Sequence, residues 1–456
     1  MNIVSGRGFL KFILFHTWGT SRMEKPLVSI KRYKKSPDSL RELIDLSRGF
    51  EELKPNQHVL IKPNIVGLDD QYPMSLYGVF TTSRLVHDMV ILLKEFGVDK
   101  ITIGEGSSRG KDFGVSTNGI YEFLGYPLLK ELYGVQLVDF LEEPFEKNDF
   151  GEFQLEISKP ALETDFFINM PALKTHNQAV LSLGFKNLKG CLSIKSRKLC
   201  HHAAGTLDHY ISLLVEKLRP ALTVLDGIYG LEKGPFYLGK AVRMNALAAS
   251  KDPLAVDVMG ATLAGIEAEE VPYLKEYADR HDRSLNLEEF DTKGTPISDL
   301  RQTLKWDNTW REDNTGPRAW DRMGIQGVSF PKYDKTVCTG CSALYGTILA
   351  LIMTSFEGKP FDEIEVLTGK YMKPSGKAKK TVLFGNCMIK ANRKDAGIEE
   401  AVFVKGCPPS LETTQKALDH CGFKANLDVY RMFRESLMDR YKGKEGFDES
   451  FYFVKA

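Results

Sequence analysis

Strand-sized apolar runs at 27–33, 58–62, 100–104, 136–139, 165–169, 222–226 and 243–249 alternate with helical patterns at 38–53, 82–96, 207–218 and 254–263. Short runs with almost no polar face belong to strands covered on both sides, and the intervening helices supply the cover. The alternation therefore predicts an α/β fold, with a largely parallel sheet domain spanning 26–266. In such sheets ligands bind outside the carboxyl ends of the strands, so the polar residues at those ends carry the functional information.

Six strand-end segments stand out. Lys62-Pro63-Asn64 runs a strand into a proline, which cannot continue the ladder. Gly104-Glu105-Gly106-Ser107-Ser108 is a glycine-rich turn that offers amides and hydroxyls to an anion, although it lacks the lysine of a nucleotide-binding loop. Asn169-Met170-Pro171 leads to Lys174-Thr175-His176, and Gly184-Phe185-Lys186-Asn187-Leu188-Lys189-Gly190 follows. Asp226-Gly227 and Asp252-Pro253, with Asp257 one helical turn on, complete the set. Each has a structural reading: Lys-Pro-Asn and Asp-Pro form turns, and Asp252 caps a helix that Pro253 begins. Recurrence favours chemistry, because lysines 62, 174, 186 and 189 all fall at strand ends or tight turns and suit an anionic substrate. Lys62, Lys174 and His176 are the candidate catalytic residues. Asn64, Gly104, Gly106, Ser107, Lys186, Asn187 and His201 are the candidate ligand-binding residues. The stretch Arg197-Lys198-Leu199-Cys200-His201-His202 reads as a substrate-binding basic loop, a surface loop, or a Cys/His metal site; adjacent histidines diverge, which weighs against the last.

Taken in order, Lys62-Pro63-Asn64, Thr81-Thr82, Gly104-Glu105-Gly106, Leu173-Lys174-Thr175-His176, Lys186-Asn187-Leu188-Lys189-Gly190, Asp226-Gly227 and Asp252-Pro253-Leu254-Ala255-Val256-Asp257 resemble the family called domain of unknown function 362. The resemblance spans about residues 58–266. It implies an α/β domain of a kind often joined to iron–sulfur modules, and it names no reaction.

A second module is marked by cysteines. Cys338 and Cys341 are two residues apart, 45 residues precede Cys387, and 19 more precede Cys407. Four thiolates suit a [4Fe–4S] cluster, and a Cys-Pro step such as Cys407-Pro408 often supplies a ligand. Structural zinc and no metal stay open, since a Cys-x-x-Cys pair alone also fits zinc or a redox disulfide. Each cysteine is expected to open a helix, at 342–356, 388–396 and 409–418, where the positive helix terminus offsets thiolate charge. The strings Cys338-Thr339-Gly340-Cys341-Ser342, Gly385-Asn386-Cys387 and Gly406-Cys407-Pro408-Pro409 resemble the proximal-cluster site of [NiFe]-hydrogenase small subunits and the related quinone-oxidoreductase subunit. That resemblance implies a small flavodoxin-like iron–sulfur domain over 336–425, with those four cysteines as ligands.

Between the modules, residues 267–335 read as a polar, irregular connector whose Trp306, Trp310 and Trp320 demand burial, as lid or interdomain glue. Residues 426–456 form a tail with an amphipathic helix at 427–441. Residues 1–25 read as a leader or a mis-assigned start, since the apolar stretch at 9–18 is too short to span a bilayer. A net charge of +1 supplies no field to draw nucleic acid or anionic lipid. Seven cysteines, clustered rather than spread, read as ligands in a reducing cytoplasm.

These features predict an iron–sulfur oxidoreductase that acts on a small anionic substrate, with one [4Fe–4S] cluster and a redox partner protein, and with no stable membrane insertion. A non-catalytic electron carrier or cluster-assembly partner is the alternative.

Overall fold

The computed structural model describes residues 24–69, 71–108, 114–234, 236–307 and 309–455, so nearly all of the expected leader lies outside the described residues. The first 300 residues hold strands β1 (Leu27–Arg32), β2 (His58–Pro63), β3 (Lys100–Glu105), β4 (Gln136–Asp139), β5 (Phe145–Asp149), β6 (Gln154–Ser158), β7 (Phe166–Met170), β8 (Ala172–His176), β9 (Val180–Ser182), β10 (Leu222–Glu232), β11 (Lys240–Ser250) and β12 (Asp291–Gly294). The large sheet runs β12-β1-β11-β10-β7-β2-β3-β4, with β8 and β9 branching from β10. From β10 through β7, β2 and β3 to β4 every pair is parallel, and β11 is antiparallel to both β10 and β1.

Alternation along β2 shows why the strands read as apolar throughout. Val59 and Ile61 enter one core while Leu60 enters the other, because successive side chains point to opposite faces. Helices Pro37–Ser47 and Ser83–Phe96 cover the first face, and Thr206–Leu218 and Pro253–Ala264 cover the second. Asp252 caps the last of these, accepting from the Leu254 amide at 2.9 Å.

Three elements differ from expectation. The first helix ends at Ser47 because Arg48 turns left-handed, with φ 54°. β10 and β11 extend to 11 residues each and form a long hairpin, pairing Glu232 with Lys240 near its tip. The connector is regular in its first half: helix Pro272–Arg280 buries Tyr273 and Leu274 in the large core, and β12 adds to β1 in parallel.

The later residues form a sheet of four parallel strands, β13 (Val328–Ser329), β14 (Ile364–Leu367), β15 (Lys380–Phe384) and β16 (Glu400–Val404), in sequence order. A flavodoxin-like sheet reverses its strand order once, and this one does not. Helices Thr339–Thr354, Gly385–Asn392, Leu411–His420 and Leu427–Met438 accompany it. Trp320 is fully buried in this smaller core, Trp306 packs against the large core, and the Trp310 indole donates to the Phe330 carbonyl at 3.2 Å. The chain then returns to the large sheet. Tyr452 receives the Gly78 amide on its hydroxyl and the Ser83 hydroxyl on its carbonyl, at 3.0 and 2.8 Å. Among the described residues no helix is long and apolar enough to cross a membrane.

Candidate functional site

The ends of β2, β3, β7 and β8 present a buried polar network. Lys62 of β2 and Glu105 of β3 form an ion pair at 2.8 Å with almost no exposure. Such a pair is tolerated only when its remaining valences are met. Lys62 Nζ also donates to Asn187 Oδ1 and to the Pro63 carbonyl, both at 3.2 Å. Glu105 accepts the amides of Ile65 at 3.2 Å and Gly106 at 2.8 Å. Gly190 makes room for the pair, since a Cβ there would lie 2.1 Å from Glu105 Oε1.

Asn187 ties this pair to the rest. Its Oδ1 accepts from Asn64 Nδ2 at 2.9 Å and its Nδ2 donates to Asn169 Oδ1 at 2.8 Å. Pro171 interrupts β7, and the chain re-enters the sheet as β8, which carries Lys174. The Lys174 ammonium bonds Asn64 Oδ1 and the Val79 carbonyl, and burial holds its pKa well below the usual lysine range. His176 Nδ1 accepts the amides of Gln178 and Ala179 at 3.1 and 3.3 Å, which leaves the proton of the neutral ring on Nε2. Burial and the surrounding lysines keep that ring neutral.

Lys186 and Lys189 follow on the turn after β9. Burial, then the Lys189 charge, lowers Lys186 to about 7, and its ammonium meets no hydrogen-bond or ion-pair partner among the described residues. Lys189, lowered by burial to about 8, lies 2.8 Å from His201 Nε2 and 3.3 Å from the Thr339 hydroxyl. Burial holds the His201 ring neutral, so Nε2 accepts from Lys189 while Nδ1–H faces the Lys335 carbonyl at 3.3 Å. The Arg197 guanidinium is spent on the carbonyls of Leu192, Ser107 and Gly190.

Thr339 belongs to the cysteine loop, so the two halves meet here. They enclose a cleft of about 200 Å³. Lys174, His176, Lys186, Lys189 and His201 line it, and so do Phe236, Tyr237 and Leu238 from the β10–β11 turn, with Trp310, Tyr333 and Tyr345. Cys338 caps helix Thr339–Thr354 and Cys341 lies in its first turn, while Cys387 lies in the first turn of Gly385–Asn392. Cys338 is lowered to about 5, chiefly by a hydrogen bond from the Cys341 thiol, with the amides of Cys341 and Gly340 adding to it. Cys341 is raised in turn, first by its hydrogen bond to Cys338 and by burial, then by the charges of Cys338, Cys407 and Cys387, so the four sulfurs share one electrostatic neighbourhood. A Cβ at Gly340 would lie 3.0 Å from Pro408, which is how the Cys407 loop reaches this helix. No three His, Cys, Asp or Glu side chains among the described residues are placed to hold a single ion. A cubane asks for a wider tetrahedron of thiolates than one ion does, and four cysteines from three chain segments, two of them at helix starts, fit that demand in donor chemistry and charge.

Of the expected site residues, Asn64, Gly106, Lys174, His176, Lys186, Asn187 and His201 line the cleft. Lys62 lies behind them, paired to Glu105. Gly104 is off the wall: its missing Cβ admits the Phe140 ring, which would otherwise stand 2.4 Å away. Ser107 is also behind, its amide donating to the Thr117 hydroxyl at 3.0 Å. The glycine turn is thus no anion cradle, because the Gly106, Ser107 and Ser108 amides bond Glu105, Thr117 and Val66. His202 turns away from His201, toward Glu152 at 3.2 Å, and Cys200 is a buried thiol raised by burial to about 11. Of the aromatic lining, Trp310 was expected as lid or glue, while Phe236, Tyr237, Tyr333 and Tyr345 were missed; the glycines at 230 and 234 between two apolar runs were the available sign of the hairpin.

The family model for the domain of unknown function (DUF362) matches residues 59–262. A thylakoid-associated protein of a Synechocystis sp. strain is 31% identical over 240 residues, 51% of this chain and 71% of the relative. The lactate racemase apoprotein of Thermoanaerobacterium thermosaccharolyticum aligns with a TM-score of 0.37 at 14% identity, over 54% of this chain and 58% of that chain, so the chain spans little more than half of its length. The motifs of the lysine wall, the matched span and the cyanobacterial relative place this chain in the DUF362 family.

Proposed function

We propose that this protein is an iron–sulfur oxidoreductase of a reducing, cytoplasmic setting, acting on a small anionic substrate in the lysine-walled cleft and served by a redox partner protein. Cys338, Cys341, Cys387 and Cys407 would hold one [4Fe–4S] cluster, which when bound supplies one-electron transfer. The observation that carries this reading is Thr339: it belongs to the cysteine loop, lines the cleft and bonds Lys189. Lys174 and Lys186 attract and orient the substrate's negative charge. His176 presents Nε2–H as a donor to a substrate oxygen, and the aromatic wall excludes water, which strengthens each of these contacts.

Protein purified anaerobically should carry about four irons with matching sulfide, and broad visible absorption that bleaches on reduction. Turnover of small anionic metabolites with an artificial electron donor then separates enzyme from carrier. Stoichiometric zinc in a colourless protein would overturn the iron–sulfur reading. One observation favours the carrier or cluster-assembly alternative: Cys387 and Cys407 are exposed, so a partner reaches them without entering the cleft.

A further inference from the structure

The cation wall is out of electrical balance. Lys174 bonds a side-chain amide and a carbonyl, both neutral. Lys186 bonds nothing among the described residues. The nearby carboxylates are engaged elsewhere: Glu105 with Lys62 at 2.8 Å, Asp208 with Lys335 at 2.8 Å, and Asp307 with Lys332. Lys189 and Lys198 face the cysteine segments instead, the former bonding the Thr339 hydroxyl and the latter standing 3.9 Å from Cys407 Sγ. Lys174 and Lys186 remain; among the described residues neither has a carboxylate within ion-pair distance, and only the Asp208 charge, already paired to Lys335, acts on Lys186 from further off. Two charged ammonium groups so placed are costly, and a ligand with two negative charges removes the cost.

The aromatic part of the lining describes the rest of the ligand. Tyr345 packs in a cluster with Phe330 at 4.5 Å, Tyr333 at 4.4 Å and Trp310 at 6.3 Å between ring centroids. These rings are fixed by one another, and Tyr345 by a 3.0 Å bond from its hydroxyl to the Pro331 carbonyl. Rigid aromatic rings and two cations lining one space of about 200 Å³ fit a flat body better than an extended chain. Asn177 adds an open valence: its Oδ1 is buried on the cleft without a donor.

We infer that the cleft takes a planar ring bearing two negative charges, its anionic groups on Lys174 and Lys186 and its face against Tyr333 and Tyr345. This rests on the cleft assigned above and specifies its substrate class. Calorimetric titration of the intact protein tests it with phthalate and phenyl phosphate, against succinate, benzoate and inorganic phosphate as controls. At least one planar dianion should bind about tenfold or more tighter than every control. Phthalate ahead of phenyl phosphate assigns a dicarboxylate, and the reverse assigns a phosphate ester. Lys186→Met should weaken the favoured probe by about tenfold or more, and it is a safe variant because its amine forms no hydrogen bond or ion pair among the described residues. Tyr333→Leu should lose the preference for the ring while leaving succinate binding unchanged. Equal binding of succinate or phosphate, an unaltered affinity in Lys186→Met, or no heat with either planar probe would overturn the inference. Iron content, measured on the same samples, reports the iron–sulfur reading separately.

Discussion

Lys198 Nζ stands 3.9 Å from Cys407 Sγ, so a helix of the large domain, Ile194–Leu199, touches the last of the four cysteines in the small one. The other three cysteines cluster with it, whereas Cys191 and Cys200 are buried in the large core.

That division predicts the outcome of cysteine replacement. Alanine at Cys338, Cys341, Cys387 or Cys407 should remove most of the iron from anaerobically purified protein. Cys191→Ala and Cys200→Ala should leave iron unchanged. Metal analysis with visible absorption decides, and iron retained in Cys387→Ala would refute the four-ligand assignment.

The Lys62–Glu105 pair makes a stability prediction. Removing one partner strands a charge with essentially no exposure, so Lys62→Met and Glu105→Gln should each cost about 3–5 kcal/mol in denaturant unfolding. The double replacement should cost less than the sum of the two. Additive losses would show that the two residues do not act as a pair.

Gly190→Ala probes the same spot by volume alone. Its Cβ would stand 2.1 Å from Glu105 Oε1 and 2.7 Å from Lys62 Nζ. Neither side chain has space to retreat, so a loss of about 1–3 kcal/mol is expected, with the midpoint of denaturation shifting at constant slope.

A pH dependence follows from Lys186. Its pKa is depressed in the fold to about 7 from a usual 10.5, so between those values the unfolded chain binds the extra proton. Stability should therefore rise with pH across that window, and Lys186→Met should flatten the rise. Anion affinity should move the opposite way, falling as pH passes upward through about 7 and the ammonium is lost. A titration whose affinity holds constant from pH 6 to 9 in the native chain would contradict this assignment.

Much of this was legible from the chain. Val59, Leu60 and Ile61 reported a strand with two buried faces, and β2, β3, β4 and β7 lie within a residue or two of their expected places. The ends were harder to read. Pro171 promised an exit from the sheet, but one residue later β8 resumes beside β10 and delivers Lys174 to the cleft. Tyr229 to Glu232 extend β10 because Lys240 to Arg243 lie opposite, a partner that local pattern does not reveal. Gly104 looked like part of an anion loop, and its cause is a ring 36 positions later, Phe140. Lys62 looked catalytic because its charge was visible in sequence, while the carboxylate that neutralises it, Glu105, was one strand away. Long-range pairing, rather than propensity, accounts for each of these.

The returning tail sets an order of assembly. Phe451, Tyr452 and Val454 are part of the core under β2 and β3, yet the whole four-stranded unit is synthesised before them. As the chain leaves the ribosome, the first core therefore waits, unsealed at Gly78 and Leu124, while β13 to β16 are already contiguous and free to close. The long sequence separation of those last contacts makes them slow and late. The large core is therefore closed by residues that follow the cysteine module in the chain, so removing residues 451–454 should destabilise the domain that comes first in sequence.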